Sequence, residues 1–300
     1  MGGVIQTNTL TKYYGKSRGI EDLSLEVQEG EIFGFLGPNG AGKTTTIRLA
    51  MDFIRPTWGS IQVLGLDPRR HVRQVHRRIG YLPGELTMYD KLTGGELLRY
   101  LGHLRGGVDW QYVEELAERL GASLSEPIRS LSSGNKHKMG LIQALMRRPE
   151  LLILDEPTSR LDPLTRQEFH RLLVEVRAEG RTVFLSSHIL PEVERVCDRV
   201  GIIRQGRLVA VESVDALRAR SLRRLELHFA APVPKDAFAG LKGVRELTVQ
   251  DAVVRCEVTG SVDAVIKAAA RYEVLDVISH EPNLEEVFLA YYSGDEDVAA

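Results

Sequence analysis

The stretch GPNGAGKTT, Gly37 to Thr45, constrains this chain more than any other, because it meets the pattern G-x-x-x-x-G-K-[ST] at every fixed position. Such a loop works only between a buried strand and the start of a helix. The preceding run EIFGFLG, short, apolar and bounded by Gly30, reads as the strand, and the helix is expected from about Thr44 to Asp52. Gly37, Gly40 and Gly42 allow backbone angles and close approaches that a Cβ would block, so the N–H groups of the loop, with Pro38, Asn39, Ala41 and Thr45 between and after them, can turn toward phosphate oxygens. Lys43 brings a point charge to β- and γ-phosphates, Thr44 offers a hydroxyl to Mg²⁺, and the helix aims its positive end at the anion. A nucleoside triphosphate with Mg²⁺ is the ligand such a loop suits.

The rest of the chain reads as alternating strands and helices. IEDLSLEV and SIQVLG suit strands, the first half-buried and antiparallel. Gly94 to about Pro149 turns helical, with Leu97, Leu98, Leu101 and Leu104 on one face. ELLILDEP, RTVFLSSH and VGIIRQGRLVAVE return to strands, the last with a turn at Gln205-Gly206, and PLTRQEFHRLLVEVRAEG between them is helical. That order predicts an α/β fold with a mostly parallel sheet, ligands lying at the strands' carboxyl ends. A composition shift near Ser221 then leads through an arginine-rich joint, Arg218 to Arg224, into RRLELHFA, PKDAFAGL, VRELTVQD, VVRCEVTG and SVDAVIKAAAR, a β-α-β-β-α order expected of a small α+β domain. The joint is expected to be a solvated helix face.

Composition narrows the partners. At 300 residues the chain suits one large domain plus a smaller one, and 39 basic against 41 acidic residues leave no overall electrostatic footprint for nucleic acid. The two cysteines, Cys197 and Cys256, form neither a disulfide framework nor a metal-ligand spacing, which fits a reducing cytosol. No apolar window reaches membrane-spanning length and no secretion signal is evident, so any membrane role is expected to run through a partner.

In LLILDEP the carboxylates Asp155 and Glu156 follow four apolar residues and so emerge where a buried strand ends, with Pro157 enforcing the exit. Beside a phosphate loop, Asp155 suits a Mg²⁺ ligand and Glu156 the residue that positions or deprotonates water. LSSGNKHK precedes that strand, and TSRLDP and then LSSH come after it. This order of phosphate loop, signature, acidic strand end, D-loop and histidine resembles the ATP-binding cassette (ABC) family of transport ATPases over about Val4 to Ser221. The resemblance implies a cassette over residues 1–221, with an antiparallel β subdomain and a helical subdomain over about 90–148; the small α+β domain read from the strand and helix order is then an accessory one over 222–300. It also implies a head-to-tail dimer of two cassettes, identical or different, in which Ser132, Ser133, Gly134 and Asn135 meet the ATP of the other subunit. Glu156 and His188 would be catalytic, Asp162 would be the D-loop aspartate, and Tyr14 would stack on adenine, with Tyr13 the neighbouring alternative.

Departures from the family pattern sit mainly in the trans half and the coupling loop. Gly84 and then Glu85 stand where the family usually has Gln after the strand IGYLP; Ser133 replaces Gly, Asn135 replaces Gln, and Arg160 replaces a small D-loop residue. The phosphate loop, Asp155, Glu156 and His188 are intact, which implies an active ATPase. LTKYYG, GPNGAGKTTTIRLAMDFIRPTWG, YLPGE and the closing LEEVFLAYY resemble the exporter branch with separate cassette and permease chains, the daunorubicin-type and related multidrug or lipid exporters. That branch implies an ABC permease received around Tyr81 to Leu101 and a peripheral place on the cytoplasmic face of the membrane. The alternative, a soluble ABC ATPase acting on nucleic acid or the ribosome, would call for tandem cassettes or a long heptad insertion, and neither is seen. Leu284, Val287, Phe288, Tyr291 and Tyr292 form an amphipathic stripe, with Asn283 and Glu286 as a cap pair, expected to pack into its own domain.

Overall fold

The computed structural model describes residues 3–220 and 222–280. Two compact units make up the chain, Met1–Val211 and Glu212–Ala300. The first opens with β1 (Ile5–Tyr14), β2 (Ser17–Val27), β3 (Ile32–Leu36), α1 (Lys43–Ala50), β4 (Trp58–Val63), α2 (Val72–Arg78) and β5 (Ile79–Leu82). Three helices come next, α3 (Gly94–Leu104), α4 (Trp110–Arg119) and α5 (Ser133–Leu145). The chain then returns to the sheet through β6 (Leu151–Asp155), α6 (Pro163–Ala178), β7 (Thr182–Ser187), α7 (Leu190–Val196), β8 (Arg199–Arg204) and β9 (Arg207–Ser213).

Strands β3, β6 and β7 are buried along their whole length, which is what continuous apolar runs produce when both faces of a parallel sheet are covered. They are neighbours in a six-stranded sheet of order β5-β6-β7-β3-β8-β9, and the pairs from β5 to β8 are parallel. Gln205 and Gly206 both take positive φ, giving the turn between β8 and β9 that the sequence indicates. A second, antiparallel sheet of order β2-β1-β4 shares one core with the first: Leu10, Leu23 and Ile61 pack with Phe33, Phe35, Ile47, Leu151 and Phe184. Burying each of these side chains contributes roughly 1.5–3 kcal/mol. Strand register, more than burial, positions the loops at the sheet's end. Leu36 lies level with Ser187, and Asp155 with Ser186, so the chain leaves β3, β6 and β7 at one height.

The helical stretch begins with a reciprocal cap: Thr93 accepts from the Glu96 N–H while the Glu96 side chain accepts from the Thr93 N–H. Asp109 caps α4, and Ser132 caps α5 by accepting from the Asn135 N–H. Among the described residues, no helix is long and apolar enough to cross a membrane.

The second unit contains α8 (Val214–Arg220), β10 (Leu222–Phe229), β11 (Val244–Gln250), β12 (Val253–Thr259), α9 (Asp263–Ala269) and β13 (Val274–His280). Its four strands form an antiparallel sheet of order β11-β12-β10-β13 over a core of Leu225, Leu227, Phe229, Val254, Val258 and Val265. PKDAFAGL, expected as a helix, makes one 3-10 turn over Lys235–Ala237. Pro234 sets its start, Phe238 drops into the core, and Gly240 and Gly243 at positive φ turn the chain before another helical turn can form. The fourth strand, β13, goes beyond the expected order. The arginine-rich joint is split between the end of α8 and the start of β10, with Arg218 near Asp215 (3.6 Å) and Arg224 near Glu257 (2.8 Å). The stripe from Leu284 to Tyr292 and its cap pair Asn283 and Glu286 lie outside the described residues.

One buried group of the first unit sets a pH dependence. Burial, aided by Arg195 and Arg166, lowers the His170 imidazole from the ordinary 6.5 to about 4. Because its folded value lies below its unfolded value, its contribution is complete above about 6.5 and is lost as pH falls toward about 4. Stability measured by urea unfolding should fall over that window by on the order of 2 kcal/mol, and His170→Gln should flatten the profile. A wild-type profile with no slope there would refute the assignment.

Candidate functional site

The loop after β3 is held by its backbone before any side chain acts. The Gly37 N–H donates to the Ser187 carbonyl (3.1 Å), and the Ala41 N–H closes a turn on the Pro38 carbonyl (3.2 Å). A Cβ at Gly37 would lie 2.4 Å from the Ile203 carbonyl oxygen of β8, a clash with backbone that cannot yield, so only glycine fits there. Gly42, at φ 113, sets the entry to α1. The first-turn N–H groups of α1 have no carbonyl within the helix to bond, and no acidic side chain occupies that turn. They face solvent-side space with the sign and geometry that suit an anion.

Lys43 is buried within the loop. Its ammonium donates to the Gly37 carbonyl (2.6 Å) and the Pro38 carbonyl (3.2 Å). It also lies 3.1 Å from Glu156 Oε1, an ion-pair contact whose angles fall short of a hydrogen bond. The other Glu156 oxygen lies 2.8 Å from His188 Nδ1. One carboxylate thus joins the loop after β3 to the loop after β7.

Asp155, only 1% exposed, completes a second set. The Thr44 hydroxyl donates to its Oδ2 (2.8 Å) and the Ser186 hydroxyl to its Oδ1 (2.6 Å), while Ser186 Oγ accepts from the Glu156 N–H (3.0 Å). Neighbouring side chains on a strand point to opposite faces, yet Asp155 and Glu156 serve one site. The device is backbone strain: Glu156 sits at φ 50, the left-handed region that costs a non-glycine residue about 1–3 kcal/mol, and this turns its side chain back over the strand end. Ser186 escapes motif reading. Its signal is a serine near the end of the strand TVFLSS, fully buried, and a buried hydroxyl needs a partner.

The remaining expected site residues divide between this cluster and others. Tyr14 lines a cleft of about 270 Å³ with Asn39, Gly40, Lys43, Thr45 and Glu156. Tyr13 instead donates to Glu21 (3.0 Å) and packs edge-on against Trp58, so Tyr14 is the tyrosine available to the cleft. Gly84 lies against Asp155, where a Cβ would sit 3.2 Å from Oδ2, while Glu85 is exposed. Beside them, burial and then the Asp155 charge push the Tyr81 hydroxyl up to about 12.

Ser132 to Asn135 form a different cluster. Among the described contacts, that of Gly134 runs to the loop after Glu156 and none of the four runs to Gly37–Thr45. Gly134 packs so closely on Arg160 that a Cβ would lie 2.9 Å from its carbonyl oxygen, and further along α5 His137 Nε2 is 2.7 Å from the Pro157 carbonyl. Asp162 caps α6, accepting from the Thr165 N–H (2.9 Å) and hydroxyl (2.6 Å), bonds that hold its carboxyl down near about 2; Lys138 approaches to 3.5 Å.

The donor set fits Mg²⁺ bound with a nucleotide. Thr44 and Asp155 supply a hydroxyl and a carboxylate 2.8 Å apart, hard oxygen ligands of the number Mg²⁺ takes from protein when phosphate oxygens and water fill the rest of its shell. A helix start with unpaired amides and a buried ammonium provides the phosphate cradle beside it.

Comparison with known proteins agrees with this geometry. A family model described as ABC transporter matches residues 20–159. The bacitracin transport ATP-binding protein BcrA of Enterococcus faecalis is 33% identical over 302 residues, covering 97% of each chain. BcrA of Bacillus licheniformis is 38% identical over 233 residues, covering 77% of this chain and 76% of the relative. Among solved structures, an ATP-binding subunit of an ABC transporter superposes with a TM-score of 0.66 at 31% identity, over 72% of this chain and 92% of that one.

Proposed function

We propose, from the premise that this chain belongs to the ABC transporter family and is one of its nucleotide-binding ATPases, that it is the energy-supplying subunit of an exporter whose permease is a separate membrane protein. The observation that carries the chemistry is the meeting of Lys43, Glu156 and His188 beside Thr44, Asp155 and Ser186 at the carboxyl ends of β3, β6 and β7. Lys43 and the first-turn amides of α1 hold the β- and γ-phosphates, and Tyr14 stacks on the base. Thr44 and Asp155 hold Mg²⁺, which neutralises phosphate charge when bound. Ser186 keeps Asp155 oriented. Glu156 accepts the proton of the attacking water, and His188 holds Glu156 and reaches the γ-phosphate.

Ser132 to Asn135 lie in another cluster of the same chain, so they serve a second cassette, and each of two sites takes its signature from the partner. Asp162, fixed as a helix cap beside Lys138 of α5, serves in this reading as the D-loop aspartate that communicates across the dimer. The permease is received around Tyr81 to Leu101, where Gly84 touches Asp155 and so reports on the metal ligand. The chain then sits peripherally on the cytoplasmic face of the membrane. The relatives named for bacitracin transport support a drug-directed exporter.

Purification of the tagged chain from detergent-solubilised membranes tests the reading. A polytopic membrane protein should copurify in stoichiometric amount and raise the ATPase rate. Ribosomes or DNA in its place would overturn the exporter role while leaving the ATPase assignment standing.

A further inference from the structure

The segment leading into β5 carries charge that neither the fold nor the nucleotide site uses. Arg69, Arg70, His71, Arg73 and Arg77 are all exposed. Four of them, with Val72 and Gln74, line a concavity of about 420 Å³ on α2. Opposing charge is scarce: Arg70 reaches Asp67 at 3.7 Å with its side chain 82% exposed, and Arg78, at the helix end, is paired with Glu150. Among the described residues, no ion pair engages Arg69, Arg73 or Arg77.

Packing does not explain the array. Val75 faces inward, fully buried, and His76 Nε2 lies 2.9 Å from the Met51 carbonyl; these two anchor the helix. Arg73 and Arg77 stand four residues apart, a spacing at which like charges destabilise a helix. Arg69, Arg70 and His71 crowd the helix start, where no acidic residue occupies the first turn. That end of a helix disfavours positive charge. Folding alone would favour carboxylates at these positions. Beside the helix, Phe53 is 53% exposed and packs edge-on against His76 (6.0 Å) and Tyr81 (5.5 Å).

We propose that this arginine face, with the Phe53 ring at its edge, binds the anionic phospholipid headgroups of a bilayer. Arginines supply charge-assisted hydrogen bonds to lipid phosphates, and an exposed phenyl suits the boundary between headgroup and acyl chain. A polynucleotide would call for several stacking rings along a groove, and this face offers one. The proposal rests on the membrane role above for why a bilayer is at hand, but its test needs no permease, so the two can fail separately.

The purified full chain is sedimented with vesicles of phosphatidylglycerol mixed with phosphatidylcholine, and with vesicles of phosphatidylcholine alone. It should bind the first, weakly bind or ignore the second, and release as salt is raised. The triple variant Arg69→Gln, Arg73→Gln, Arg77→Gln should lose on the order of a hundredfold in partitioning, taking about 1 kcal/mol for each arginine near an anionic surface, and should keep wild-type ATPase activity. Equal binding to both vesicles by wild type, or undiminished binding by an ATPase-competent triple variant, would overturn it. So would wild-type affinity for single-stranded polynucleotide, lost in the triple variant, with no binding to anionic vesicles.

Discussion

Glu156→Gln should lower steady-state ATP turnover by roughly 10²–10⁴-fold while leaving ATP binding nearly intact, the range expected when a positioned general base is removed. Glutamine keeps the length and both heavy-atom positions of the side chain, so the left-handed backbone at Glu156 and the N–H bond to Ser186 need not change. What it loses is basicity and charge. The ion-pair contact with Lys43 becomes a neutral one, and His188 Nδ1 meets an amide in place of a carboxylate. None of the loop amides is touched. With phosphate binding preserved and water activation gone, ATP should persist between two cassettes, and gel filtration with ATP and Mg²⁺ should show a species of twice the monomer mass that wild type forms only transiently. A variant that turns over ATP at the wild-type rate removes Glu156 from the mechanism.

Lys43→Ala should fail one step earlier. The ammonium sits inside the loop, and the variant leaves the Gly37 and Pro38 carbonyls without their donor and Glu156 without its cation. Loss of one preorganised donor to developing phosphate charge accounts for roughly 10²–10³-fold in rate, and the weakened binding of the triphosphate adds to that. Fluorescent-nucleotide titration should therefore separate the two variants: Glu156→Gln binds and does not turn over, whereas Lys43→Ala binds poorly. Lys43→Arg should not rescue, because a planar guanidinium cannot occupy a position 5% exposed and enclosed by loop backbone. Tight nucleotide binding by Lys43→Ala would show that the amides of α1 alone hold the phosphates.

Much of this site is legible in the chain's local pattern. A five-residue apolar strand, a glycine-rich turn and a helix start appear in the structure as β3, the loop and α1. LLILDEP likewise becomes β6 with its carboxylates at the end. Such features are local: burial of a continuous apolar run, the steric freedom of glycine and the rigidity of proline act within a few residues. PKDAFAGL shows the limit of the same reasoning. Its composition allows a helix, but Phe238 is anchored in the core and the glycines after it turn the chain away.

Amino-acid order alone dictates the fold class, the phosphate-binding loop, the acidic strand end and the succession of motifs. Which of them meet is settled by packing in three dimensions. Thr44 and Asp155 stand 111 residues apart and touch because β3, β7 and β6 are neighbours in one register. The same register brings Ser186, an unmarked residue of a buried strand, between Asp155 and Glu156. Packing sends Tyr14 and Tyr13 to different surroundings, sets Gly84 against Asp155, and keeps Ser132 to Asn135 away from Gly37–Thr45 of their own chain. Sequence encodes the neighbours along the chain through sterics and burial; contacts across the chain come from strand order, which closes the loops between motifs and is fixed only when the whole core packs.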